Sequence, residues 1–194
     1  MIIKHSGQRV GVFIDIQNLY HSAKNLYQSR VNFEEVLKFA IGGRSLIRAF
    51  AYVVRTKTGE ERPFFDALVN LGIETRIRDL QEFYGGQKKA DWDVGIVIDA
   101  IRIAPSVDTI VLASGDGDFI SLVEYLKNQG KRVEVIAFDR SASKGLKEIA
   151  DEFIDMEKNT EKYLLHAKRN LFNLKIGKIN IKRANPNPKW KNSN

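Results

Sequence analysis

The feature that most constrains the fold is an apolar run near the middle of the chain, residues 107–114, with the sequence VDTIVLAS. Its strand-forming part, residues 109–114, is apolar almost throughout, as expected for a strand buried on both faces of a parallel sheet. Such sheets carry helices on both faces. The run therefore favours an α/β fold.

Short β-branched runs alternate along the chain with segments of helical spacing. Strands are predicted at residues 10–16, 47–54, 73–78, 109–114 and 132–138, and helices at residues 19–27, 33–41, 62–71, 92–104 and 119–129. This alternation implies βαβ units with right-handed crossovers. We expect a three-layer α/β/α sandwich around a mostly parallel, five-stranded, Rossmann-like sheet. Residues 153–155 are predicted to add a short edge strand, after a turn or helix at residues 143–150.

The length and composition exclude several classes of protein. The chain has 194 residues and no cysteine, which excludes disulfide frameworks, cysteine-based zinc sites and thiol catalysis. No apolar run approaches the roughly 18 residues of a membrane span, and the first residues lack the apolar core of a signal peptide. We expect a cytoplasmic protein with no membrane partner.

The positive charge is concentrated at the C-terminal end. The formal net charge is +7, and residues 158–194 contain ten Lys or Arg against one acid, Glu161. This asymmetry favours a polyanionic partner, nucleic acid first, although a solvated tail is the alternative. We predict a domain at residues 8–156 and a basic extension at 157–194, made of a helix at 159–172 and a partly disordered tail.

Acidic residues gather where the predicted strands end. Asp15 ends the first strand, and Asp116 and Asp118 follow the fourth within the sequence SGDGDF. In open α/β sheets, ligands bind beyond the carboxyl ends of the strands. Gly115 and Gly117 would let the backbone turn tightly there and let a ligand approach.

A further acidic group lies at the start of a predicted helix. Asp91 precedes this helix and Asp93 enters it, so either of the two could face a metal ion. Asp99 follows six residues after Asp93, which turns it roughly 120° away on a helix. Carboxylates that converge without basic partners are stable together mainly around a divalent cation, and all-oxygen ligands suit Mg²⁺ or Mn²⁺. Such an ion activates water and clamps a phosphate, which points to phosphodiester hydrolysis.

Each acid also has a purely structural explanation. Asp15 and Asp118 are well placed to cap the helices that follow them, and Asp93 suits a first helical turn. Trp92 is as consistent with packing as with stacking on a base. The three histidines are scattered without metal-ligand spacing, so a zinc site is not expected.

Three segments together resemble the NYN-domain family, LabA-like proteins with a PIN-like nuclease fold. They are D-x-x-N at residues 15–18, KKADWDVGIVIDAI at residues 88–101, and VLASGDGDFISLVEYLKNQGKRVEVIAF at residues 111–138. The resemblance covers residues 8–156. It implies a sheet of order 3-2-1-4-5 and a metal-dependent ribonuclease site. The acidic site residues that it implies are Asp15, Asp93, Asp116 and Asp118, with Asn18 and Asp99 as recurrent polar positions.

The expected function is therefore a Mg²⁺- or Mn²⁺-dependent ribonuclease. Asp15, Asp93 and Asp116 would bind the metal, and Asp118 would orient water or a second ion. Asn18, Ser114 and Asp99 are expected to hold the site or the substrate, and the basic extension to contact RNA.

Two alternative functions stay open at this stage. A non-catalytic RNA-binding or regulatory module is the first. A phosphatase of the haloacid dehalogenase type is disfavoured, because Asp15 is followed by Ile16 and Gln17 rather than by a second acid two residues on. A homodimer is expected from the PIN-like resemblance.

Overall fold

The structure is a computed structural model that describes residues 4–55, 60–82, 88–89 and 91–165. Ten strands occur in these residues: β1 (Arg9–Asp15), β2 (Arg30–Val31), β3 (Ser45–Arg55), β4 (Glu74–Asp79), β5 (Gln81–Glu82), β6 (Lys88–Lys89), β7 (Thr109–Ala113), β8 (Arg132–Ala137), β9 (Glu152–Asp155) and β10 (Leu164–Leu165). The same residues contain seven α-helices: α1 (Ile16–Tyr27), α2 (Phe33–Ile41), α3 (Arg62–Asn70), α4 (Asp93–Ile103), α5 (Ile120–Asn128), α6 (Lys144–Ile149) and α7 (Thr160–Tyr163).

The centre of the molecule is a six-stranded sheet in the order β4-β3-β1-β7-β8-β9. Each neighbouring pair in it is parallel. The five predicted strands follow the expected order 3-2-1-4-5, and β9 is the predicted edge strand. The expected α/β fold is confirmed. The six strands of the sheet are the five predicted for its main body and the predicted edge strand.

Helices cover both faces of this sheet. In β1, Val12 and Ile14 face one core with α1, α2 and α3, whereas Phe13 faces a second core with α4, α5 and α6. The alternation follows from the two-residue period of a strand. Because both faces are buried, β7 is buried along its whole length and apolar except for Thr109, as the run VDTIVLAS predicted.

Local signals set the ends of the helices. Asn32 caps α2 by accepting a hydrogen bond from Glu35 N (3.3 Å), and Gly42 ends it in the left-handed conformation at φ 55°. Helix α1 begins three residues earlier than predicted. The reason is that Asp15 is both the last residue of β1 and the N-cap of α1, so no loop separates them.

The helix predicted at residues 159–172 forms at residues 160–163 but ends earlier than predicted. Helix α7 ends at Tyr163, and β10 then pairs antiparallel with β2. Asn32 N donates to the carbonyl of Tyr163 (2.8 Å), and the Tyr163 ring meets Phe39 edge-on. These long-range contacts outweigh the helical spacing. The rest of that helix and the predicted disordered tail lie outside the described residues.

A buried ion cluster joins β8 to the loop after α2. Glu134 of β8 is fully buried and accepts hydrogen bonds from Arg44 Nη1 (2.8 Å) and Arg132 Nε (2.8 Å), with Lys4 Nζ at 3.4 Å. Burial by itself would raise the pKa of Glu134, but the bonds from Arg44 and Arg132 outweigh it and hold that pKa below its usual value. The carboxylate is therefore a structural ion.

Replacing Arg44 should destabilise the protein, because it leaves the buried Glu134 charge with fewer partners. We expect Arg44→Met to lower the free energy of unfolding by about 3 kcal/mol, measured by urea titration at neutral pH. Lys38→Met is the matched control, because Lys38 pairs with Glu35 on the surface and its loss should cost at most about 0.5 kcal/mol. Equal effects of the two substitutions would show that Glu134 does not depend on Arg44.

Candidate functional site

A cavity of about 160 Å³ lies at the carboxyl ends of β1 and β7, beside the N-terminal ends of α1 and α4. Four of the polar residues singled out in the sequence line it. The full lining is Asp15, Gln17, Asn18, His21, Asp91, Trp92, Asp93 and Asp116. The edge at which ligands bind in this class of fold therefore carries a concave, carboxylate-rich surface.

Asp15 is the most buried acid of the cavity, with 8% of its surface exposed. Its Oδ1 accepts from Asn18 N (3.0 Å) and its Oδ2 from Ser114 Oγ (3.2 Å). Burial raises the pKa of Asp15 to about 6; these two hydrogen bonds oppose the rise, and the charges of Asp93 and Asp116 add to it. An ionised Asp15 is thus under electrostatic strain that a cation would relieve.

Asn18 and Ser114 connect the ends of the two strands. Asn18 Oδ1 accepts from Gly115 N (2.9 Å), and Ser114 Oγ accepts from Asp116 N (3.2 Å). Ser114 is fully buried beneath the cavity. Both side chains therefore hold the loop after β7 against the start of α1, and their contact with a substrate stays a prediction.

The two glycines of the SGDGDF loop are needed for close packing. A Cβ at Gly115 would lie 2.9 Å from Ala142 Cα, and one at Gly117 would lie 3.0 Å from Ser143 Oγ. Neither glycine has a positive φ, so the tight turn expected from the sequence is not what requires them. The segment at residues 142–143 supports the loop from behind.

Asp93 is the first residue of α4, and both it and Asp91 line the cavity. Trp92 between them is fixed by packing. Its Nε1 donates to Val53 O (2.9 Å), and a Cβ at Gly95 would lie 2.5 Å from its Cε3. Trp92 therefore anchors the start of α4, which in turn sets the position of Asp93.

Asp118 and Asp99 do not line the cavity. Asp118 is exposed on the turn that Asp116 caps, where its backbone N donates to Asp116 Oδ1 (3.0 Å). Asp99 lies on another side of α4, as its six-residue distance from Asp93 implied. Its Oδ2 accepts from Tyr52 Oη (3.1 Å) and Arg76 Nε (3.1 Å).

The described residues contain no group of three or more His, Asp or Glu side chains arranged as a ready ligand set for one metal ion. The donor chemistry of the cavity nevertheless suits a hard cation, because Asp15, Asp93 and Asp116 all offer carboxylate oxygens. The metal-binding role of these three residues stays a prediction.

The family comparison gives this geometry its context. The NYN domain family matches residues 9–157. The chain belongs to the NYN domain family. NYN domains have a PIN-like, nuclease-type fold and are related to nucleic-acid chemistry. The resemblance expected from the sequence is confirmed, whereas the division of the chain at residue 157 stays a prediction.

Individual relatives of this NYN domain come from three different organisms. The Low amplitude and bright protein LabA of Synechococcus elongatus is 28% identical over 166 residues, which cover 76% of this chain and 83% of LabA. An uncharacterised protein of Methanocaldococcus jannaschii is 26% identical over 156 residues, 78% of this chain and 57% of that protein. The crystal structure of a protein of unknown function from Vibrio parahaemolyticus matches with a TM-score of 0.76 and 32% identity, covering 84% of this chain and all of that one.

His21 and Gln17 also line the cavity of this NYN domain, and neither is among the predicted site residues. Both lie on α1, one turn from each other, and His21 is also one turn after Asn18. Burial, and then the charge of Lys24, lower the pKa of His21, so its imidazole is neutral near pH 7. The helical spacing between Asn18 and His21 is the sequence signal that would place His21 beside the site. The absence of zinc-ligand spacing among the histidines does not reveal it.

No helix in the described part of the chain is long and apolar enough to cross a bilayer.

The raised pKa of Asp15 makes a prediction about stability. Its pKa is about 6 when folded and about 3.9 when unfolded, so its stabilising contribution is complete below about pH 4 and is lost as the pH rises through 6. We expect Asp15→Asn to be more stable than wild type by about 3 kcal/mol at pH 8 in EDTA, with the gap closing toward pH 4. Urea titrations at several pH values measure this gap.

The control for this experiment is Asp66→Asn, which removes an exposed carboxylate on α3 and should show no such pH-dependent gap. If Asp15→Asn were less stable than wild type at pH 8, the carboxylate would not be strained in the folded protein.

Proposed function

We propose that this NYN domain is a Mg²⁺- or Mn²⁺-dependent ribonuclease that hydrolyses RNA phosphodiester bonds in the cavity at the ends of β1 and β7. The observation that carries the proposal is that Asp15, Asp93 and Asp116 reach one cavity from three separate elements. Their mutual repulsion contributes to the raised pKa of Asp15. A divalent cation would offset that repulsion, and RNA phosphates bring further oxygen ligands.

In this proposal the chain's own residues hold and orient the reacting groups. Asn18 N and Ser114 Oγ fix the two oxygens of Asp15, so its carboxylate has a single orientation. The Gly115 hydrogen bond to Asn18 keeps Asp116 beside it. A bound ion would polarise the phosphodiester and lower the pKa of an attacking water. Asp118, on the exposed turn that Asp116 caps, is proposed to orient water or a second ion.

A non-catalytic RNA-binding module is the second candidate. It is favoured by one observation, namely that the described carboxylates are not arranged as a ready set of three metal ligands. In that case the acids would serve the fold, as Asp15 does when it caps α1 and Asp116 does when it caps the turn at Gly117–Phe119.

Cleavage of a labelled single-stranded RNA in Mn²⁺, Mg²⁺ or EDTA tests the proposal. Wild type should cleave only with a divalent ion, and Asp15→Asn and Asp116→Asn should each reduce the rate by more than about 100-fold, because each removes a carboxylate proposed to hold that ion. Asp66→Asn, exposed on α3, removes the same charge elsewhere and should leave the rate unchanged.

The outcomes separate the two candidates. Metal-dependent cleavage that is abolished in both cavity variants supports the nuclease. RNA binding without metal-dependent cleavage overturns the nuclease in favour of the binding module. Cleavage that survives both substitutions places the reaction in another site.

The basic extension is proposed to add affinity for RNA. Residues 173–194 lie outside the described residues and contain six Lys or Arg and no acid. Deleting them should weaken RNA binding and lower the slope of log affinity against log salt, by about 0.7 for each phosphate of a single strand that the extension neutralises. Anisotropy titrations at several salt concentrations measure both values. An unchanged slope would show that the extension is only a solvated tail.

RNA is the partner in this proposal, and the cytoplasm is the compartment, since a chain without cysteine suits a reducing environment. The expected homodimer stays a prediction.

A further inference from the structure

Arginines line one face of the sheet edge next to the cavity. Strand register pairs Phe50 with Glu74 and Tyr52 with Arg76, so alternate residues of β3 and β4 share the face that α4 covers only in part. We call this surface the arginine strip. It consists of Arg48 on β3, Arg76 and Arg78 on β4, and Arg102 on α4.

The strip begins at the wall of the cavity. The Arg78 guanidinium lies over the Trp92 ring, 4.5 Å from its centroid, and Arg78 Nη1 donates to the backbone carbonyl of Asp91 (2.7 Å). Both Trp92 and Asp91 line the cavity. A strand of nucleic acid that leaves the cavity on this side therefore meets Arg78 first.

The other arginines continue the strip away from the cavity. The guanidinium groups of Arg76 and Arg48 lie 4.8 and 4.6 Å from the centroid of the Phe50 ring. Arg76 Nε bonds to Asp99, and Arg102 approaches the same carboxylate at 3.9 Å. Asp99 thus holds two arginines in place, which gives this recurrent polar position a role outside the cavity.

The strip keeps a positive charge and accessible donors. Its four arginines face two acids in these contacts, Glu74 and Asp99. The side chains of Arg76 and Arg102 are 38% and 73% exposed. A guanidinium has five N–H donors, and the described bonds of Arg76 and Arg78 use only part of them. Packing on aromatic rings holds these groups ready for a phosphate.

We infer that the arginine strip binds the phosphodiester backbone of the single strand whose scissile bond lies in the cavity. The inference rests on the proposed function and adds the path of the substrate to it. Arg76 and Arg78 are two residues apart on β4, which corresponds to about 6.7 Å along a β-strand. This distance is close to the spacing between successive phosphates of an extended single-stranded nucleic acid. The cavity carries carboxylates, whereas the strip carries guanidinium groups. A phosphate held through a metal ion would therefore lie in the cavity, and the phosphates on either side of it would lie on the strip.

The test compares Arg76→Gln/Arg78→Gln with the control Arg9→Gln/Arg30→Gln. The control removes the same charge at the amino edge of β1 and on β2, outside the arginine strip. Anisotropy with a labelled single-stranded RNA in an Asp116→Asn background, which prevents turnover, should show affinity about 10-fold lower for the strip variant only, and a salt slope smaller by about 1.4. Arg76→Lys/Arg78→Lys should restore the slope, which excludes misfolding as the cause.

Two further experiments vary the length of the nucleic acid and its sugar. A short oligonucleotide that fills only the cavity should bind the strip variant and wild type equally, whereas a longer one should not. For single-stranded DNA of the same sequence, the substitutions should weaken binding to the same degree as for RNA, since both share the backbone; an effect confined to RNA would overturn backbone recognition.

The inference about the arginine strip and the proposed nuclease activity can be disproved independently. If wild type cleaves RNA with metal but the strip variant keeps its affinity, KM and salt slope, the strip inference is wrong and the nuclease stands. If no cleavage occurs but the strip variant alone binds RNA more weakly, the nuclease is wrong and the strip belongs to a binding module.

Discussion

The whole arrangement depends on β1 lying parallel between β3 and β7. Its register places Ile14 beside Ala113, so the next residues, Asp15 and Ser114, meet at the carboxyl edge and form a hydrogen bond. At this edge Asp15 is the N-cap of α1, and Asp116 is the N-cap of the turn at Gly117–Phe119. A shift of β1 by one residue would reverse its core-facing side chains and remove the acid from the edge at the same time.

The buried carboxylates of Glu134 and Asp15 have opposite electrostatic environments. Glu134 is surrounded by Arg44, Arg132 and Lys4, which hold its pKa below the usual range. Asp15 accepts its described hydrogen bonds from neutral donors and faces other acids, and its pKa is raised. The first environment satisfies a charge with cations from the chain itself. The second favours a cation from outside the chain, and that difference separates the structural acid from the candidate site.

Much of the fold and part of the site could be predicted from the sequence. Buried parallel strands are mostly apolar, so β7 and its neighbours could be predicted from the sequence. The rule that ligands bind at strand ends then located Asp15 and Asp116. Two of the predicted site residues lie elsewhere for local reasons. Helical phase turns Asp99 away from Asp93, and the cap at Asp116 directs Asp118 outward.

Other features were beyond the sequence because they depend on long-range contacts. Strand β10 forms because β2 offers an edge for it to pair with, which a pattern of helical spacing cannot reveal. The arginine strip requires the register of β3 and β4, since arginines on a short edge strand otherwise look like ordinary solvated residues. The contact between Arg78 and Trp92 joins residues on different elements in the same way.

The strain at Asp15 has an evolutionary consequence. Its charge works against folding near neutral pH, so a neutral residue there gives the same fold a more stable chain. A lineage that no longer needs this acid gains stability when a neutral residue replaces it. The residue at this one position therefore offers a simple way to sort relatives of the same fold into those whose cavity is still under selection and those that keep only the scaffold.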